Sequence, residues 1–139
     1  MAIHPLRVIF GDTDQMGVVY YANYLRYFEA ARAAYWRGLG RTQADLEAWG
    51  LARPVVEASC RYRRPARYED LLAIEVVVDE LRAASVRFAY AVRLDGQLLA
   101  EGMTRHAAIG PDGRPRAFPP QFRDLVVVEA LTGTGTTVL

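Results

Sequence analysis

The spacing of apolar residues changes from helical to alternating about one third of the way along this chain, and most elements can be placed from that change. Residues 6–10 form a short β-rich segment that runs into Gly11-Asp12-Thr13-Asp14-Gln15-Met16-Gly17, a run of turn formers. Residues 21–37 contain no Gly or Pro and are rich in Ala, which predicts a long helix stopped by Gly38 and Gly40. Leu25, Phe28, Ala31 and Tyr35 fall on one side of it with Tyr24, Tyr27 and Ala34 beside them, so only Arg26, Glu29 and Arg32 make a polar stripe. A helix this apolar has to be wrapped, and a curved sheet does so most economically. Residues 42–49 predict a second short helix, with Thr42 as N-cap and Gly50 as stop.

Alternation then takes over. Leu72, Ile74, Val76 and Val78 recur at every second position, as do Val86, Phe88, Tyr90, Val92 and Leu94, so each strand buries one face. Asp95-Gly96 predicts a hairpin into a strand over 97–109, and 55–64 is a weaker strand. Pro111-Asp112-Gly113 is a further turn, Pro119-Pro120 opens a last helix to about residue 131, and 133–139 reads as a loose tail. Strand, long helix, then strands in series exclude an alternating parallel layout; the class is α+β, one antiparallel sheet folded around one helix.

At 139 residues and 52% hydrophobic content the chain predicts a single domain over 1–139, with its core at about 6–120 and the last helix and tail at 119–139. A formal net charge of +1 gives no global attraction to nucleic acid or to an anionic membrane, and no apolar run reaches the length of a membrane span. All 17 basic residues are Arg, which codon usage explains better than phosphate binding does. Cys60 is the one cysteine, so no intrachain disulfide forms, and the first residues lack the pattern of a signal peptide. A cytoplasmic location is the resulting expectation.

Chemistry concentrates where the Asp12/Asp14 loop meets the long helix. The first N–H groups of a helix lack intrahelical acceptors and carry partial positive charge, so they can stabilise the oxyanion of a thioester under attack. A nearby carboxylate can supply the nucleophile or activate water, and Gly17 lets the loop backbone approach a ligand. Taken alone, such an Asp pair is more often a set of loop and capping residues.

Asp12-Thr13-Asp14, Gly17-Val18-Val19-Tyr20 and Asn23-Tyr24 resemble the signature of the 4-hydroxybenzoyl-CoA thioesterase family, in particular its YbgC-like branch. The likeness continues through Tyr62-Arg63-Arg64-Pro65-Ala66-Arg67-Tyr68-Glu69-Asp70, residues 72–78 and Arg114-Pro115-Arg116-Ala117-Phe118-Pro119. The resemblance implies a hotdog fold, five antiparallel strands around the long helix, in a homodimer with active sites at the interface and a dimer of dimers. It implies hydrolysis of an acyl-CoA, with Asp14 as the catalytic carboxylate, the N–H of Tyr21 polarising the thioester carbonyl, Gly17, Val18 and Val19 lining the substrate, and no metal or other cofactor. Asp12 is then a secondary candidate that shapes the loop. The YbgC-like branch often carries His where this chain has Tyr21, which removes any imidazole role but leaves the backbone one. Arg82 and Arg116 stand where relatives place residues that meet the phosphates of coenzyme A, with Arg67 and Arg114 as weaker candidates.

Two other readings compete with hydrolysis. A non-catalytic acyl-CoA or acyl-carrier binding module needs the pocket alone. A hydratase or dehydratase needs an acid/base His or a second catalytic acid beside the helix start, and neither His4 nor His106 is expected there. Cys60 and His106 are a nucleophile and a base by type, but both fall within strands and read as packed residues. Two His and one Cys make a poor zinc site. The tyrosines at 20, 21, 24 and 27 read as core or interface, with some of them candidates for lining the acyl pocket, and Glu29, between Arg26 and Arg32, reads as part of an ion-pair ladder.

Overall fold

The computed structural model describes residues 1–131, so the tail expected at 133–139 lies outside the described residues. The alternating segments form strands β1 (Ala2–Arg7), β2 (Val55–Tyr62), β3 (Leu71–Leu81), β4 (Ser85–Leu94) and β5 (Gln97–Ala107). They make one five-stranded sheet in the order β1-β3-β4-β5-β2, and every neighbouring pair is antiparallel. Helix α1 (Asn23–Gly38) lies against the inner face of the sheet, giving the hotdog arrangement implied by the sequence. Short helices α2 (Gln43–Glu47) and α3 (Pro120–Leu125) complete the described elements. No helix among the described residues is long and apolar enough to cross a membrane.

Aromatic packing joins helix to sheet. Phe28 stacks on Tyr90 with ring centroids 4.2 Å apart, while Tyr35 and Trp36 meet Phe88 edge-on at 5.6 and 5.9 Å. Gly102 on β5 makes room for this layer: a Cβ there would sit 2.3 Å from the Ser59 carbonyl oxygen and 2.7 Å from Cε2 of Phe28. The buried stripe of α1 runs Tyr24, Tyr27, Phe28, Ala31, Tyr35 and Trp36, so the sheet covers one face only. Leu25, expected on the covered side, is exposed.

Several boundaries differ from the sequence reading, each for an identifiable reason. The first strand starts at Ala2 rather than residue 6 and ends before Ile9. Pro5 is tolerated because β1 is an edge strand, and Phe10–Asp12 is a 3-10 turn instead of strand. Helix α2 is shorter than expected but capped as expected, with the Asp45 N–H donating to Thr42 Oγ1 at 3.2 Å and the Thr42 N–H to Asp45 Oδ2 at 2.8 Å. The last helix stops at Leu125. The run Val126-Val127-Val128 is β-branched, and β1 covers β3 only as far as Val76, leaving the outer edge of Val78 open. Val128 pairs there in parallel, and the Glu129 N–H donates to the Val78 carbonyl at 2.9 Å.

Candidate active site

The loop before α1 is held as a small hairpin. Thr13 and Val19 face each other as an antiparallel bridge, the Asp14 N–H donates to the Val18 carbonyl at 2.9 Å, and the Gly17 N–H donates to the Asp14 carbonyl at 3.0 Å. Gly17 closes this turn with φ of 79°, a conformation that favours glycine. The Asp14 side chain joins the turn through one oxygen, Oδ1, which accepts the Met16 N–H at 2.9 Å. Its other oxygen has no donor among the described residues. Asp14 is half-buried and lines a groove of about 310 Å³ with Met16, Val18, Val19, Tyr21 and Tyr62.

Across that groove the chain enters α1. The Tyr20 carbonyl accepts the Asn23 N–H at 2.9 Å, and the Tyr21 carbonyl accepts the Tyr62 hydroxyl at 2.9 Å. In a trans peptide the N–H points opposite its carbonyl, so these two bonds fix the directions of the Tyr21 and Ala22 N–H groups. Among the described residues neither N–H donates to a backbone carbonyl. The half-buried Asp14 and Tyr21, whose N–H is oriented and donates to no backbone carbonyl among the described residues, thus line one cleft at the helix start.

Asp12 does different work. Its buried carboxylate accepts the Tyr27 hydroxyl at 2.8 Å, and its carbonyl accepts the Tyr20 N–H and Asn23 Nδ2, both at 2.9 Å. Burial, and then the bond to Asp12, hold the Tyr27 hydroxyl above its usual pKa. Asp12 therefore ties the loop to α1 from beneath.

The structure gathers Asp14, Val18, Val19 and Tyr21 around the groove, with Gly17 in the turn that shapes it. It places Arg82 and Arg116 together at the opposite end of the sheet. Arg82, in the β3–β4 turn, is exposed and ion-paired with Glu80 at 2.8 Å. The loop carrying Arg116 packs beside that turn, with the Phe118 N–H on the Ala83 carbonyl at 2.8 Å and the Arg116 N–H on the Ala108 carbonyl at 2.9 Å. Arg67 and Arg114 are exposed. Cys60 and His106 form no dyad: Cys60 sits opposite Gly102, His106 opposite Val55, and burial pushes the Cys60 thiol up to about 11. The ladder expected at Glu29 is absent among the described residues, because Arg32 donates instead to the Tyr90 hydroxyl at 3.1 Å.

Sequence reasoning missed Tyr62 and Arg64, both in the groove wall, where Tyr24 also stands. The only available signal was the Tyr62-Arg63-Arg64-Pro65 segment, which carries no spacing relation to Asp14. It also missed a cavity of about 560 Å³ beside α1, where Arg32, Trp36, Arg53, Phe88 and His106 converge away from Asp14.

Comparison with known proteins agrees with this architecture. The acyl-CoA thioesterase YbgC of Haemophilus influenzae is 36% identical over 121 residues, covering 86% of this chain and 89% of that protein. The acyl-CoA thioester hydrolase YbgC of Escherichia coli is 34% identical over 117 residues, covering 83% and 87%. Among solved structures, the DHNA-CoA thioesterase of Staphylococcus aureus superposes with a TM-score of 0.83 at 26% identity, over 89% of this chain and 87% of that one. Residues 8–126 match the family described as the thioesterase-like superfamily, and the chain belongs to it.

Proposed function

We propose that this protein hydrolyses acyl-CoA thioesters to the free acid and coenzyme A, with Asp14 as the catalytic carboxylate. The observation that carries the reading is the Asp14 side chain, fixed through Oδ1 and open at Oδ2, in the groove also lined by Tyr21, whose N–H donates to no backbone carbonyl among the described residues. With the acyl carbonyl oxygen received by the Tyr21 N–H, Oδ2 either takes a proton from an attacking water or itself bonds to the carbonyl carbon. The C–S bond then breaks, and the thiolate leaves and is protonated. By the second route water opens the resulting anhydride and restores the carboxylate. Both routes use only this chain and water, so the reading calls on no metal or other cofactor.

The same reading makes the working unit a homodimer joined through β2. That strand is the sheet edge next to β5, every residue but the half-buried Cys60 is exposed, and Val55, Val56 and Tyr62 stand in solvent. An open apolar edge of this kind is a template for pairing. Antiparallel pairing about a two-fold axis sets the Val55 end of one strand against the Tyr62 end of the other. The larger cavity and the Arg82/Arg116 end of one subunit then approach the Asp14 groove of its partner, bringing those arginines toward the coenzyme phosphates. Ile9 and Phe10, exposed just after β1 on the opposite edge, favour further association into a dimer of dimers.

The test is a panel of short-chain, long-chain and aromatic acyl-CoAs followed by thiol release, run beside Asp14→Asn. Asparagine can still accept the Met16 N–H, so the turn survives while the charge is lost. Turnover is expected to fall by at least about a hundredfold. A variant within tenfold of the wild type removes Asp14 from the chemistry, and wild-type protein that releases no thiol from any ester refutes the reading.

A further inference from the structure

The cavity beside α1 joins an aromatic wall to two arginines. Trp36 and Phe88 give it an aromatic wall, and Arg32 from α1 and Arg53 from the segment before β2 both line it. Both arginines are half-buried, yet among the described residues neither lies within ion-pair distance of a carboxylate. Arg32 donates to the Tyr90 hydroxyl at 3.1 Å; Arg53 donates to Gln43 Oε1 at 3.0 Å and sits 5.8 Å from the Trp36 ring centroid. Elsewhere this chain pairs its half-buried arginines: Arg63 with Glu101, Arg87 with Asp79, Arg93 with Glu75 and Arg105 with Glu80. Glu47 acts on Arg53 from beyond ion-pair distance, behind Gln43, and two partly desolvated guanidinium groups with no carboxylate in contact are costly unless a ligand supplies the anion.

The remaining polar groups of the wall do not cancel this charge. Burial keeps His106 neutral, and with its one N–H turned to the Arg53 carbonyl the hydrogen bonds from Arg32 onward run in one direction. Arg32 donates to the Tyr90 oxygen, the Tyr90 hydroxyl to Thr104 Oγ1 at 2.6 Å, the Thr104 hydroxyl to His106 Nε2 at 2.9 Å, and His106 Nδ1–H to the Arg53 carbonyl at 3.0 Å. Every ring nitrogen is engaged and His106 is neutral. The one carboxylate on the lining, Glu29, is exposed at the rim.

We propose that this cavity receives the acyl end of the substrate across the dimer interface and selects acyl groups that end in a carboxylate. The apolar body lies against Trp36 and Phe88, and the distal carboxylate takes charge-assisted hydrogen bonds from Arg32 and Arg53. The preferred substrates are therefore coenzyme A monothioesters of dicarboxylic acids. This rests on the hydrolase and dimer reading given above.

Matched pairs test it: glutaryl- against pentanoyl-CoA, adipoyl- against hexanoyl-CoA, and suberoyl- against octanoyl-CoA. Each ester is measured for kcat/KM with the wild-type protein and for Kd by calorimetry with Asp14→Asn, which binds without turning over. A desolvated charge-assisted pair is worth about tenfold or more, so in at least one pair the acid-terminated ester is expected to bind at least about tenfold more tightly. Arg32→Gln and Arg53→Gln, each measured as the ratio within that pair, are expected to bring the preference down toward unity. Acid-terminated esters that bind no better than their neutral partners in all three pairs overturn the proposal, whatever the turnover. Wild-type protein that binds but releases no thiol strikes at the hydrolase reading, and the calorimetric ratios still decide this one. A preference that survives both Arg substitutions also overturns it.

Discussion

Lowering the pH should act on this fold chiefly through His106. The ring is buried, both nitrogens are bonded, and Arg32 and Arg53 add positive charge from α1 and from the segment before β2. Burial, aided by those two cations, outweighs the raising effect of the bond to the Arg53 carbonyl and brings its pKa from 6.5 down to about 4. Protonation at Nε2 would also reverse the bond to Thr104, turning its hydroxyl from donor to acceptor and leaving the Tyr90 hydroxyl proton without Thr104 as its acceptor. Because the folded pKa lies below the unfolded one, the unfolded chain binds the proton more readily. The stability contributed by neutral His106 is complete above 6.5 and is lost as the pH falls through about 4. A displacement of that size is worth roughly 3 kcal/mol in full, of which about 2 kcal/mol is lost between about pH 7.5 and about pH 5. Urea unfolding at those two values measures the loss, and His106→Gln serves as the reference that removes this group while keeping the others, His4 included. The histidine Cε1–H resonance gives the same answer without a variant: it should show no titration while the protein stays folded above about pH 5. A His106 resonance titrating near its ordinary midpoint, or equal pH dependence in wild type and His106→Gln, refutes the one-way hydrogen-bond chain.

Two further outcomes follow from the geometry. Tyr62→Phe removes the hydroxyl that holds the Tyr21 carbonyl; a bond worth about 0.5–1.5 kcal/mol should lower kcat by roughly two- to tenfold with KM nearly unchanged, and an unchanged kcat would deny Tyr62 a positioning role. Gly102→Ala drives a Cβ against the Ser59 carbonyl oxygen, which is backbone and cannot swing aside; thermal and urea unfolding should show a loss of about 1–3 kcal/mol, and a variant as stable as the wild type would mean that β2 and Phe28 shift freely.

What could be read from the chain is what depends on neighbours in sequence. Alternation placed β3 and β4 because each side chain's facing is set by its own position, and Asp95-Gly96 formed the expected turn with φ of 50° and 80°. The Asp14 loop was legible for the same reason: turn formers, a glycine and a helix start follow one another directly. Tyr62 was not, because its contact with Tyr21 exists only once β5 has carried β2 to the edge of the sheet. Arg32 shows how far a local rule reaches. Three residues after Glu29, it reads as one rung of a surface ladder, a pairing worth only about 0.2–0.5 kcal/mol in water. The fold brings the Tyr90 hydroxyl within 3.1 Å of its guanidinium, and a hydrogen bond to a charged group contributes about 1.5–3 kcal/mol. The nonlocal partner wins on magnitude, so an arginine whose sequence context suggests a solvated ion pair ends in a cavity wall with no carboxylate in contact among the described residues, where it can bear on substrate choice.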